Sequence, residues 1–262
     1  MALSTVSFDL TGRMALITGA AGGLGQCFAR TLHAAGASVV LCSRNLERPE
    51  LVDLNRELQS ESDAARCECL ALDVASPSSI AAAFSELDKK NITADILVNN
   101  AGIALSGEAH KLGDAAWNNV LDTNLSGAWA MSQQFASRLI EQKSSGSIVN
   151  IASILGLQPS KGTAPYSVSK AGLIQMTRAL ALEWARYHIR VNALSPGYVE
   201  TDINRGFLNS EAGADQLKKI PTRRIGLAED LAGPLLLLAS DAGHHMTGSN
   251  LVVDGGHSCV SL

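Results

Sequence analysis

Seven short, apolar, β-rich runs alternate along this 262-residue chain with stretches of helical pattern, and that alternation limits the possible folds severely. The runs are Met14–Thr18, Ser38–Cys42, Cys67–Leu72, Asp95–Val98, Ser147–Ala152, Ile189–Leu194 and Asn250–Val253. Several are apolar almost without interruption, as expected of parallel strands covered on both faces. Between them, Leu24–Ala35, Pro77–Lys89, Asp114–Gln142, Tyr166–Tyr187 and Ala228–Ala239 read as helices. Repeated strand–helix units predict a single α/β domain over residues 1–262: a doubly wound, seven-stranded parallel sheet with helices on both faces. Hydrophobic residues make up 46% of the chain and aromatics only 4%, so the core must be packed mainly by aliphatic side chains and alanine.

Open sheets of this kind bind ligands outside the carboxyl ends of their strands. Six of the predicted strand ends carry distinctive sequence. Gly19 follows the first run, Ser43-Arg44 the second and Asp73 the third. Asn99-Asn100-Ala101-Gly102 closes the fourth, Ser153 the fifth and Ser195-Pro196-Gly197 the sixth.

The segment Thr18-Gly19-Ala20-Ala21-Gly22-Gly23-Leu24-Gly25 joins the first strand to the first helix. Its glycines let the backbone approach a pyrophosphate, which a helix N-terminus attracts through free N–H groups and its dipole. The spacing is Thr-Gly-x-x-x-Gly-x-Gly, not the commoner Gly-x-Gly-x-x-Gly. Further on, Tyr166 and Lys170 lie one helical turn apart, after a capping Thr163 and a first-turn Pro165, with the Ser153 hydroxyl thirteen residues upstream of the tyrosine. An ordinary tyrosine, with a pKa of about 10, is a poor acid and a poorer base at neutral pH. A lysine charge ~4 Å away, at an effective dielectric of about 20, favours the phenolate by about 4 kcal/mol before desolvation. Such a pair suits proton exchange with a carbonyl or alcohol oxygen.

A net charge of −4 gives no support for a nucleic-acid or anionic-membrane partner. Met1–Leu10 lacks the basic start and long apolar run of a signal peptide, and Leu235–Ala239 is far too short to span a bilayer. Five scattered cysteines, at 27, 42, 67, 69 and 259, read as reduced thiols. Cys67-Glu68-Cys69 alternates within a strand pattern with no answering Cys/His cluster, so no metal site is expected. A cytoplasmic protein is the natural expectation.

Thr-Gly-x-x-x-Gly-x-Gly, Asn99-Asn100-Ala101-Gly102, Asn124, Ser153, Tyr166-x-x-x-Lys170 and Pro196-Gly197, in this order and spacing, closely resemble the short-chain dehydrogenase/reductase family. The resemblance runs from about Leu10 to Gly256 and includes the closing Gly248–Gly256 segment. It implies a Rossmann-like fold and a catalytic set of Asn124, Ser153, Tyr166 and Lys170. Tyr166 would exchange the proton, and Ser153 would donate a hydrogen bond to the substrate oxygen. Lys170 would lower the tyrosine pKa and hold the nicotinamide ribose, and Asn124 would hold a water that relays protons to the lysine. The cofactor would contact Gly19, Gly22, Gly23, Leu24, Gly25, Ser43, Arg44, Asp73, Val74, Asn100, Ala101, Gly102, Tyr166, Lys170, Pro196, Gly197, Val199 and Thr201. Ser43 stands where an NAD-specific relative would place a carboxylate, and Arg44 suits a 2′-phosphate, so NADP(H) is expected over NAD(H).

A substrate lid is expected around residues 201–220, with Phe207 and Tyr198 joining Ser153, Leu155 and Tyr166 at the substrate. Ile103, Leu105, Ile154 and Leu157 complete an apolar wall. Ile103–Gly107 offers no cation for a sugar acid, and Leu125–Gln134 no basic residue for an acidic carrier protein. These features favour reduction of a small or medium hydrophobic ketone. The alternatives are a 3-oxoacyl-acyl-carrier-protein reductase or a sugar or polyol dehydrogenase of gluconate type. The resemblance also implies a homotetramer.

Overall fold

In the computed structural model, which describes residues 6–61, 65–200 and 211–259, the strands fall within a residue or two of the apolar runs. They are β1 (Met14–Thr18), β2 (Ser38–Ser43), β3 (Cys67–Ala71), β4 (Ile96–Asn99), β5 (Gly146–Ile151), β6 (Ile189–Pro196) and β7 (Asn250–Val253). They form one parallel sheet in the order β3-β2-β1-β4-β5-β6-β7. The winding direction reverses between β1 and β4, which places a crevice at their carboxyl ends.

Each strand sends alternate side chains to opposite layers. Ala15, Ile17, Val39 and Leu41 pack against Phe28 and Leu32 of α1 (Gly23–Ala34) and Leu51, Leu54 and Leu58 of α2 (Pro49–Glu61). Leu16, Val40, Leu97 and Ile148 face Phe84 of α3 (Pro77–Lys89) on the other side. That layer also holds Phe135 of α5 (Gly127–Glu141) and Leu180 of α6 (Ala164–Trp184). Helix α3 begins where sequence dictates: Ser76 accepts the Ser79 N–H at 3.3 Å, with Pro77 in the first turn.

Three local features depart from expectation. Helix α2 was not anticipated, although Leu51, Leu54 and Leu58 form its buried stripe. The predicted helix over 114–142 is two α-helices, α4 (Asp114–Leu121) and α5, joined by a π-helical turn at Asp122–Ser126. Thr163 occupies the cap position of α6, but its hydroxyl donates to Ser160 O at 2.8 Å instead of capping a helical N–H.

Toward the C-terminus, α7 (Glu211–Lys219) falls within the expected lid and α8 (Ala232–Ala239) packs on β5. Thr201 and Phe207 lie outside the described residues. Among the described residues, no helix is long and apolar enough to cross a membrane.

Candidate active site

The crevice at the strand ends opens into a cleft of about 910 Å³. At one end, the turn after β1 is held tightly against the end of β4. Thr18 Oγ1 accepts the N–H groups of Asn100 (3.0 Å) and Ala101 (2.9 Å). The Asn100 amide donates back to the carbonyls of Thr18 (2.9 Å) and Gly19 (3.1 Å). Gly19 has a φ of +66°, and a Cβ there would lie 2.9 Å from Ala101 Cα. A Cβ on Gly25 would meet Gly19 O at 2.3 Å, whereas one on Gly22 would find nothing nearer than 3.5 Å. Gly22 is the N-cap of α1, and no side chain caps that first turn. The cradle thus presents helix N–H groups and an open backbone face to the cleft, which fits the pyrophosphate of a dinucleotide.

Beyond the cradle, Ser43, Arg44, Asp73 and Val74 line the cleft as the strand-end pattern suggests. Ser43 is buried, and its hydroxyl donates to Asn45 O at 3.1 Å; Asp73 Oδ1 accepts the Ala75 N–H at 3.0 Å. Sequence reasoning missed Arg48, a second guanidinium on the same wall, whose Nε donates to Glu50 Oε2 at 3.3 Å. Its signal was faint: four residues past Arg44, in the loop before α2.

At the other end of the cleft, α6 presents Tyr166 and Lys170 beside Ser153, just past the end of β5. Ser153 and Tyr166 both line the cleft here, and the serine hydroxyl acts to lower the phenol pKa. The Ser153 Oγ also accepts the Leu155 N–H at 3.1 Å. Lys170 is buried, its Nζ donating to Ile151 O at 2.7 Å and lying 5.6 Å from the centroid of the Tyr166 ring. Burial pulls the lysine pKa down to about 8. Burial also pushes the tyrosine up, with the Ser153 hydroxyl working in the opposite sense. Burial of the phenol thus acts against the lowering of its pKa expected from the lysine.

Asn124 is buried in the π-helical turn and lies behind the cleft. Its Oδ1 accepts the Ile103 N–H (2.8 Å), and its Nδ2 donates to Ile103 O (2.9 Å) and Ser169 Oγ (3.0 Å). Both amide hydrogens are thereby used and Oδ1 keeps one lone pair, so the side chain fixes the loop after β4.

Ile103, Leu105, Ile154, Leu155 and Tyr198 line the cleft as expected, as do Gly102, Pro196, Gly197 and Val199. Leu157 is exposed and is not part of the lining. Unanticipated members of the lining include the polar Ser106, Thr123, Ser160, Lys161 and Thr163 together with the apolar Ala104, Ile151 and Ala152. Among the described residues, no group of three or more His, Cys, Asp or Glu side chains is placed to hold a metal ion.

A family model described as enoyl-(acyl carrier protein) reductase matches residues 19–258. The chain is 35% identical over 251 residues to an NAD-dependent glycerol dehydrogenase of Listeria innocua, covering 96% of each protein. It is 35% identical over 248 residues to the 3-oxoacyl-acyl-carrier-protein reductase of Escherichia coli, covering 95% of this chain and 98% of that one. In three dimensions it is similar to a gluconate 5-dehydrogenase from Burkholderia cenocepacia, crystallised with NADP and tartrate. That match has a TM-score of 0.92 and 35% identity, and covers 98% of this chain and 99% of the other.

Proposed function

The chain belongs to the short-chain dehydrogenase/reductase family and is an NAD(P)-dependent oxidoreductase; we propose that it interconverts a secondary alcohol and ketone on a small hydroxylated substrate, a polyol or sugar acid, with NADP(H). The observation that carries this reading is the polar wall of Ser106, Ser160, Lys161 and Thr163 beside the reactive tyrosine. A hydrophobic ketone would displace water from the exposed Ser106, Ser160 and Lys161 without replacing its hydrogen bonds, whereas a hydroxylated substrate replaces them. The glycerol and gluconate dehydrogenases among the relatives support the same choice.

NADP(H) fits the cleft along its length. The pyrophosphate would rest on the Gly22–Gly25 turn, and the 2′-phosphate near Ser43, Arg44 and Arg48. The Listeria relative is named for NAD and the Burkholderia relative carries NADP; the absence of a carboxylate at Ser43, with two guanidiniums on that wall, supports the phosphorylated form. The cofactor supplies or accepts the hydride.

The remaining chemistry falls to the chain's own side chains. In reduction, Tyr166 donates its phenolic proton to the substrate oxygen, and in oxidation it takes the hydroxyl proton. Ser153 donates a hydrogen bond to the same oxygen and aligns the phenol. The Lys170 cation, fixed on Ile151 O, stabilises negative charge as it develops on the phenol. Asn124 is a positioning residue that pins Ile103 and Ser169 around the lysine. Segment 201–220, which includes α7, would close over the substrate. Exposed Trp117, Trp129 and Leu182 on α4, α5 and α6 favour a homo-oligomer, in keeping with a tetramer.

The test is nicotinamide absorbance with NADP⁺ and a panel of pentitols, hexitols and aldonates, run against NADPH with aryl ketones and a β-ketoacyl thioester. Turnover of the hydroxylated compounds at the highest kcat/KM supports the reading. Preference for the thioester would favour the carrier-protein reductase suggested by the Escherichia coli relative, and preference for aryl ketones would restore a hydrophobic substrate.

A further inference from the structure

We infer that Lys161 forms a carboxylate subsite, so that the preferred substrate is a hydroxy acid and not a neutral polyol. This rests on the proposal that the cleft takes a hydroxylated substrate. Among the described residues, four cations line the cleft: Arg44, Arg48, Lys161 and Lys170. The two arginines stand at the Ser43 wall, and Lys170 is buried with its ammonium on Ile151 O. Lys161 is the remaining one, at the substrate end. It is exposed, and among the described residues no ion pair engages it. Glu108, the acidic residue of the facing loop, is paired with Lys111 at 2.7 Å.

The backbone that carries Lys161 is held firmly. Thr163 N–H bonds Ser160 O at 3.3 Å, closing a four-residue turn in which Gly162 takes a φ of +76°. The Thr163 hydroxyl also donates to Ser160 O, and Gly162 O accepts the Gly107 N–H at 2.9 Å from the opposite lip. Thr163 Oγ1 pairs with Ser167 Oγ at 2.9 Å, tying the turn to the helix that bears Tyr166. A cation on a turn so braced, five residues before the proton-exchanging phenol, is pre-organised for an anionic group a few carbons from the reacting carbinol. The stretch Ile103–Gly107 after β4 lacks a cation, but the turn before α6 supplies one at the cleft.

The experiment compares an aldonate with the pentitol or hexitol of matching length, using NADP⁺, in the wild type and in Lys161→Met. The wild type should prefer the acid, and the variant should lose at least tenfold in kcat/KM for the acid through KM, a loss at least fivefold larger than the one it shows on the neutral polyol. Raising ionic strength should weaken the wild-type acid reaction and leave that of the variant flat. Equal losses on both substrates, or no loss on the acid, overturn the subsite. Isothermal titration of tartrate into the NADP⁺-loaded protein gives a reading without turnover. Wild-type binding that weakens tenfold in Lys161→Met supports the subsite even if no polyol or aldonate is oxidised, an outcome that would sink only the proposed reaction. Absence of wild-type tartrate and aldonate binding overturns the subsite even if neutral polyols are oxidised.

Discussion

The Lys170 ammonium lies 5.6 Å from the centre of the Tyr166 ring and is anchored on the Ile151 carbonyl at 2.7 Å. Burial acts on the two in opposite senses, drawing the lysine down to about 8 and pushing the phenol up. Below about pH 8 the lysine is cationic and the tyrosine protonated, which is the state that carbonyl reduction requires. Above that pH the lysine loses its proton first. The pH profile of kcat/KM for reduction should be flat below about 8 and fall above it. In Lys170→Met that limb should vanish, together with most of the activity. A limb that survives unchanged in the variant belongs to another group.

The Ser43 wall should decide between the two dinucleotides. Arg44→Ala is expected to lower kcat/KM for NADPH by roughly 10- to 100-fold, the size of one or two lost charge-assisted hydrogen bonds to phosphate, and to leave NADH nearly unchanged. Arg48→Ala should show the same selectivity with a smaller loss, because its guanidinium already shares Glu50. Equal effects on both cofactors would mean that neither arginine meets the 2′-phosphate.

Two glycines three residues apart should behave differently. A methyl on Gly25 would sit 2.3 Å from Gly19 O and 2.8 Å from Ala20 Cα, contacts that only a backbone shift relieves. Gly25→Ala should cost about 1–3 kcal/mol in chemical denaturation and abolish NADPH binding. At Gly22 the nearest atom is 3.5 Å away, so Gly22→Ala should fold with unchanged stability and show only weakened cofactor affinity by fluorescence titration.

Asn124→Ala would strand the N–H and C=O of Ile103 and remove the bond that the Ser169 hydroxyl accepts, leaving its own donation to Tyr166 O in place. One unsatisfied buried group costs about 1–3 kcal/mol. At about 2–4 °C per kcal/mol for a domain of this size, Tm should drop by several degrees in calorimetry. If the amide acts by fixing the loop, kcat should fall while the break in the pH profile stays near 8. A displaced break would instead assign it a part in proton transfer.

The layered sheet and the nucleotide cradle were legible in sequence because both rest on strong local signals. Ile17 and Leu41 sit in runs whose period and length admit little but a buried parallel strand, and the Gly19–Gly25 spacing is written in backbone needs that only glycine meets. The π-helical turn around Asn124 carries no such mark; it arises from how α4 and α5 join and from the Ile103 backbone the amide must reach. Helix α2 did carry a signal, the Leu51–Leu54–Leu58 stripe behind Pro49, but its polar remainder obscured it. Lys161 was hidden for a different reason. A residue in an exposed turn has no periodicity, and its place in the cleft follows from the Gly107–Gly162 hydrogen bond between loops 55 positions apart. The lowered lysine and raised tyrosine likewise depend on burial, which the four-residue spacing alone does not reveal.

The most direct test of the account is Tyr166→Phe, measured for polyol or aldonate turnover and for NADPH affinity on the same preparation. The account predicts a loss of about 10²- to 10⁴-fold in kcat with the NADPH dissociation constant unchanged within about threefold, since the variant removes the exchanging proton and leaves the cradle intact. Turnover close to that of the wild type would contradict it, because the proton would then have to come from elsewhere.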